Sequence, residues 1–320
     1  MSRYAPLVRL HPLERYFPLD PDLFIAHSEL RWAHDRACGD HTAAALGTID
    51  PYDLGHGRYG HQAASIGLLS RCLDDGPRFG SDELTRPGQT GKPGLATDEG
   101  FFLDLDNSWR AGQKPVAGEP YTVPVYYTYV PGRFITYWFM YGFNDPGIGW
   151  TNWGPIPPLP VYASLDRHEG DWERIVVRLD RNENPIGVEY FQHNCDGKLV
   201  DWSVMGLNGH LFNETHPIVY SALGSHASYF EVPLSGGYLF PCFSGPPAFD
   251  LVADGGAQWE TWLSLRNVDV EGRPWYGESG TGGYGGAWGE VGSRIPGTDW
   301  SNTGPLGPPW KRADGGGLAR

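Results

Sequence analysis

The chain has 320 residues, a formal net charge of −14, 45 glycines and 28 prolines. So much Gly and Pro excludes a mainly helical protein, because neither residue sits well inside a helix. The acidic balance argues against a phosphate-backbone reader, so no nucleic-acid partner is expected, and 14% aromatic with only 19% charged residues argues against disorder.

Charges and prolines fill the first twenty residues and no apolar leader follows. No signal peptide is therefore expected, and the sequence reads as cytoplasmic. No apolar run approaches the roughly 18 residues of a membrane span, so integral membrane association is not expected.

Asp20-Pro21 has the chemistry of a helix start, with Asp20 as N-cap of a short helix running toward His27. Residues 36–100 are rich in Gly, Asp and Thr, show weak periodicity and read as loops. Strands are predicted over 101–105, 123–130 and 134–141, the last followed by the turn Asn144-Asp145-Pro146-Gly147. Further strands are predicted over 172–179, 187–193 and 218–223, and from Pro233 onward Gly, Pro and Trp dominate. This order predicts an all-β fold, a jelly-roll-like β-sandwich with long Gly/Pro-rich loops and few short helices. One domain is expected over 1–320: a loop-rich lead (1–100), the sandwich core (101–230) and a Gly/Pro/Trp-rich remainder (231–320). Cys38, Cys72, Cys195 and Cys242 form no CxxC pair, which leaves disulfides or free thiols rather than a zinc-finger site.

The segment His168-Glu169-Gly170-Asp171-Trp172-Glu173 is the candidate site. In a strand, Asp171 and Glu173 share a face with Ile175, Val177 and Leu179, whose aliphatic character turns that face inward. Trp172, Arg174, Val176 and Arg178 take the other face, which their arginines assign to solvent. Two inward carboxylates about 7 Å apart repel by about 2 kcal/mol at an effective dielectric near 20. A divalent cation, an arginine or a shared proton would offset this. With Gly170 to bend the chain, His168 can join them, so His-x-x-Asp-x-Glu offers one nitrogen and two oxygen ligands; an internal salt-bridge cluster with Arg167 or Arg174 explains the acids equally well.

His226 and, with less weight, His193 are further candidates, although isolated histidines are more often structural. Leu223-Gly224-Ser225-His226-Ala227 does not supply the Gly-x-Ser-x-Gly elbow of a serine hydrolase. The aromatics crowded between Tyr126 and Trp153 are mostly core, with a share available to line a pocket.

Beyond this motif, Ala5-Pro6, His11-Pro12-Leu13-Glu14, Tyr16-Phe17-Pro18, Tyr137-Trp138-Phe139, Gly142-Phe143-Asn144, Val219 through Tyr229 and Gly304-Pro305-Leu306-Gly307-Pro308 carry a resemblance along most of the chain. The chain resembles the plant, fungal and bacterial family of vacuolar-protein-sorting-associated protein sixty-two. That resemblance implies a β-rich fold and no particular chemistry. His168, Asp171, Trp172 and Glu173 are also similar to the Gly-His-Arg-His-Asp-Trp-Glu motif of the necrosis- and ethylene-inducing cytolysins, where Glu169 and Gly170 replace the motif's Arg and second His. This second resemblance implies a divalent cation on a β-sandwich. An acidic ligand upstream in that family corresponds here to Asn144, with Asp145 beside it. The implied set is His168, Asp171, Glu173, Asn144 and Asp145, and its oxygen-rich chemistry favours Mg, Ca or Mn.

Three functions follow as expectations. The first is a divalent-metal-dependent protein that binds a small-molecule, glycan or lipid-like ligand around His168, Asp171 and Glu173. The alternative is an enzyme using metal or acid/base groups, with Glu173, His226 and His168 catalytic, for hydrolysis, isomerisation or cyclisation of a hydrophobic metabolite. The third is a scaffold whose acids pair with arginines.

Overall fold

A computed structural model describes residues 1–33, 40–63, 74–77, 83–84, 100–146, 149–151, 159–161, 166–193, 195, 197–239, 249–277, 283–292 and 302–308. In chain order the strands that build the main layers are β1 (Leu7–Arg9), β2 (Ser28–Ala33), β3 (His41–Ala44), β4 (Gly100–Leu105), β5 (Val125–Val130), β6 (Phe134–Asn144), β7 (His168–Leu179) and β8 (Pro185–Tyr190). They continue with β9 (Lys198–Asp201), β10 (Leu211–Phe212), β11 (His216–Ser221), β12 (Ser228–Tyr229), β13 (Gly237–Leu239), β14 (Phe249–Leu251), β15 (Gln258–Glu260) and β16 (Leu265–Asn267). Helices are few and short, so the fold is an all-β sandwich.

A six-stranded sheet in the order β9-β8-β7-β6-β5-β16 lies at the centre. It is antiparallel except where β16 runs parallel to β5. One face packs on a five-stranded sheet ordered β10-β11-β1-β15, with β12 paired to β11. Ile135, Tyr137, Phe139, Tyr141, Ile175 and Val177 meet Val8, Val219 and Trp259 in this layer. The other face carries Trp138, Met140 and Trp172, which pack against Leu30, Trp32, Phe101 and Leu103 of the sheet β3-β2-β4, together with Trp275 and Trp288.

The central sheet is thus covered on both faces, and every residue of β6 is buried. That explains its almost unbroken apolar sequence, which alternation alone does not demand. It also corrects the expectation that Trp172 and its neighbours face solvent. Trp172 and Val176 are fully buried. Arg174 lies 4.1 Å over the Phe191 ring and 5.2 Å from that of Trp138, while Arg178 forms a two-pronged pair with Glu189. Flat guanidinium groups can cover apolar surface and keep their charge hydrated at an edge.

The helix expected after Asp20 spans Pro21–Ala26, and the Asp20 carboxylate accepts from Asp22 N at 3.0 Å. The segment 36–100 is not all loop: besides β3 it holds a short helix, Pro51–Gly55, and short strands at Gly60–Ala63, Asp74–Pro77 and Glu83–Leu84. These pieces are too brief to leave a readable period. Among the described residues no cysteine is free, and Cys195 is disulfide-bonded. Cys38, Cys72 and Cys242 lie outside the described residues. Among the described residues no helix is long and apolar enough to cross a membrane.

Candidate functional site

Strand β7 brings its acids to the end of the sandwich layer. Asp171 and Glu173 are 5% and 4% exposed and share their face with Ile175, Val177 and Leu179, as the alternation requires. Glu169 departs from that face. Gly170 has φ +60°, a left-handed conformation that breaks the alternation. The Glu169 carboxylate instead accepts from Leu105 N at 2.7 Å and from Arg110 Nη2 at 2.7 Å and Nε at 3.0 Å. Burial pushes its pKa up to about 7, against the opposing pull of Arg110 and the Leu105 amide.

Opposite Asp171 stands His226, in the loop between β11 and β12. Its Nδ1 is 2.9 Å from Asp171 Oδ2 and its Nε2 is 3.0 Å from Tyr16 O. Both partners only accept, so both ring nitrogens donate and the ring is an imidazolium. Glu14 Oε1 lies 3.7 Å from the same Nε2. The ring stacks on Tyr141 at 3.9 Å and 9°. Burial works against the charge, yet Glu14 and Asp171 outweigh it and push the His226 pKa up to about 10.

Glu14 is itself held in place: Oε1 accepts from Arg15 N at 2.8 Å and Tyr16 N at 2.9 Å, and Oε2 from Gly224 N at 2.9 Å. Burial alone would raise its pKa, but His226 and the backbone donors bring it below the ordinary value. The sequence reading did not single out Glu14 as a site residue; its only signal was its place in the His-Pro-Leu-Glu string that helps carry the family resemblance.

A second histidine pair lies at the same end. His193, just past β8, has Nε2 at 2.9 Å from Asp250 Oδ2 on β14. Asp250 also accepts from the Tyr229 hydroxyl at 2.5 Å and from the Ser225 hydroxyl. Burial opposes protonation of His193, but Asp250 prevails, with help from Glu173 and Asp166, and its pKa is pushed up to about 9. Burial and the same Asp250 charge raise the Tyr229 pKa well above its ordinary value, with Glu173 adding to the effect. Asp250 was missed by sequence reasoning because one acid in a three-residue strand carries no pattern. Asp166, His193 and His226 all have positive φ, at 60°, 54° and 54°. Such conformations are uncommon for side-chain-bearing residues and concentrate at functional sites.

The set implied for a metal divides. Asp171 and Glu173 face the two histidines. His168 turns away: its Nδ1 donates to Gly170 O at 2.7 Å, and its Nε2 accepts from Asn144 Nδ2 at 3.1 Å. Asn144 Nδ2 also donates to Asp166 O at 2.5 Å. Asp145 donates its backbone N–H to Gly224 O at 2.7 Å and sets its carboxylate 3.3 Å from Arg167 Nε. Among the described residues no three His, Cys, Asp or Glu side chains gather as a metal site. The five residues do not fit a common ion in this arrangement. A protonated His226 sits beside Asp171, where the sequence reading expected a cation.

The chain is similar to a yeast sorting protein. Over 244 residues, 71% of the chain, it is 25% identical to vacuolar protein sorting-associated protein 62 of Saccharomyces cerevisiae. The match spans 44% of the yeast protein, less than half its length. No family model and no solved structure matches. The matched yeast protein supports a relationship of the Vps62 kind and says nothing of chemistry.

Proposed function

We propose that this chain binds a small, largely uncharged metabolite at the acid–histidine end of the sandwich and acts on it by proton transfer. His193 is the proton donor, Asp250 orients it and Glu173 is the acceptor. The observation that carries this reading is the His193–Asp250 pair, whose carboxylate is fixed from two further sides by Ser225 and Tyr229. An imidazole oriented by a buried acid is the working part of many acid–base sites. Protonated below pH about 9, His193 enters the cycle as an acid. Asp171, His226 and Glu14 brace the wall behind it.

A second reading, divalent-cation-dependent binding of a glycan or lipid-like ligand, is favoured by the shared inward face of Asp171 and Glu173 and by the cytolysin-like His-x-x-Asp-Trp-Glu string. It requires His168 and Asn144 to turn from their present partners. Mg, Ca and Mn remain the ions this chemistry would take. As to compartment, the Cys195 disulfide supports an oxidising environment over the cytoplasm that the sequence led us to expect.

The test is untargeted mass spectrometry of a metabolite extract incubated with the wild-type protein and with Glu173→Gln, each with and without a chelator. Consumption of a compound by the wild type alone, indifferent to chelator, is the expected result. An extract left identical by both proteins would reject the acid–base reading. Chelator-sensitive binding, with a stoichiometric metal by elemental analysis, would establish the second reading instead.

A further inference from the structure

The turn that carries His193 is held at both ends. Upstream, the Gln192 side chain donates to Tyr190 O at 3.1 Å and to Ser228 O at 2.5 Å, while Phe191 O accepts from Ser228 N at 3.0 Å. Downstream, Cys195 N donates to Gln192 O at 3.0 Å, closing a tight turn, and the Cys195 sulfur is in a disulfide. Between these points His193 adopts φ 54°, a left-handed conformation that persists in a side-chain-bearing residue only when its surroundings impose it. From this conformation the imidazole Nε2 lies 2.9 Å from Asp250 Oδ2.

We propose that Cys195 is a positioning residue: its disulfide holds the His193 turn in register with Asp250, so that the thiol–disulfide state of Cys195 sets whether the His193–Asp250 pair is assembled. The inference rests on the acid–base reading for its functional meaning and on hydrogen bonding for its structural content. The switching step is thiol–disulfide exchange. A dithiol gives two electrons and two protons to the protein disulfide; two protein thiols form, and the dithiol closes to its own cyclic disulfide. The freed turn then relaxes from the left-handed conformation and His193 leaves the carboxylate.

The experiment uses the full chain, with the His193 ring followed by NMR across a pH titration in three states: oxidised, reduced with dithiothreitol, and reoxidised. Thiol counting confirms each state. Expected on reduction is loss of the carboxylate-bonded imidazole N–H signal and at least a tenfold fall in proton affinity, about one pKa unit, with recovery on reoxidation. Cys195→Ser should match the reduced form. An unchanged N–H signal and midpoint in fully reduced protein overturns the proposal. So does global unfolding on reduction, seen as loss of far-ultraviolet dichroism, because the disulfide would then hold the fold and not the turn. If Cys195→Ser does not fold, the reduction arm on wild type decides. None of these readouts needs turnover, so failure to find a substrate would count against the acid–base reading alone.

Discussion

His226 Nδ1 lies 2.9 Å from Asp171 Oδ2 across 55 residues of sequence. The contact joins the loop after β11 to the leading end of β7, and Glu14 adds the N-terminal segment to the same ring. Removing one partner of a buried ion pair costs about 3–5 kcal/mol, and Glu14, which still faces the ring when Asp171 is gone, places the loss at the lower end of that range. Asp171→Ala should lose that much in urea unfolding. The pH dependence has a definite sign. The His226 pKa rises from its ordinary 6.5 to about 10 in the folded protein. Its contribution is fully present below pH 6.5 and is lost as pH rises through 10. Stability should decline across that window, and His226→Gln should remove that part of the slope. A wild-type profile flat from pH 7 to about 10 would contradict the imidazolium.

Glu169 offers a test with a different partner. Its carboxylate is buried while Arg110 stays partly in water. Burial holds its pKa up to about 7 against an ordinary 4.5, so its contribution is full below pH 4.5 and falls as pH rises through 7. Arg110→Ala removes the cation and deepens that fall. The expected penalty is about 3–5 kcal/mol above neutral pH and smaller at acid pH, where the carboxyl is protonated. Unfolding curves on both sides of neutrality measure it; equal penalties in the two would show that Arg110 acts by packing alone.

Asp250→Asn removes the anion that holds His193 charged. The His193 titration should move down from about 9 toward the ordinary 6.5, and any conversion catalysed by the wild type should lose its acid limb at neutral pH. Retention of the alkaline midpoint would assign the His193 charge to Glu173 and Asp166 instead.

What the sequence revealed divides along physical lines. The inward face of β7 was legible because alternation with Ile175, Val177 and Leu179 is a local signal. Strand β6 was legible because its run of apolar and aromatic residues is almost unbroken. The third layer was not: the burial of Trp172 depends on a sheet assembled from β2, β3 and β4, two of which carry no readable period, while Val176 is covered by Phe134 and Phe191. The partners of Asp171 were half legible. His226 stood beside an apolar run and could be nominated, whereas Glu14 and Asp250 reach the site only through the tertiary path of the chain. His168 was misdirected by spacing alone, since Gly170 turns the backbone and its carbonyl captures the ring.

Gly170 is the hinge of that local geometry and the sharpest test of it. Its φ is +60°, and a Cβ there would stand 2.3 Å from Trp288 O, far inside any tolerated contact. The left-handed conformation alone costs an alanine about 1–2 kcal/mol. The clash with backbone adds to this because Trp288 N is tied to Pro305 O at 2.8 Å and cannot simply swing aside. Gly170→Ala should therefore cost more than about 3 kcal/mol in chemical denaturation. Gly209→Ala is the matched control: φ is +73° with nothing within 4 Å, so only the conformational cost of about 1–2 kcal/mol applies. Gly170→Ala should also shift the Glu169 titration, because the carboxylate reaches Leu105 and Arg110 only through this bend. If the two alanine variants lose equal stability, the close approach of Trp288 to β7 is wrong, and with it the explanation of why Glu169 leaves the face of Asp171 and Glu173.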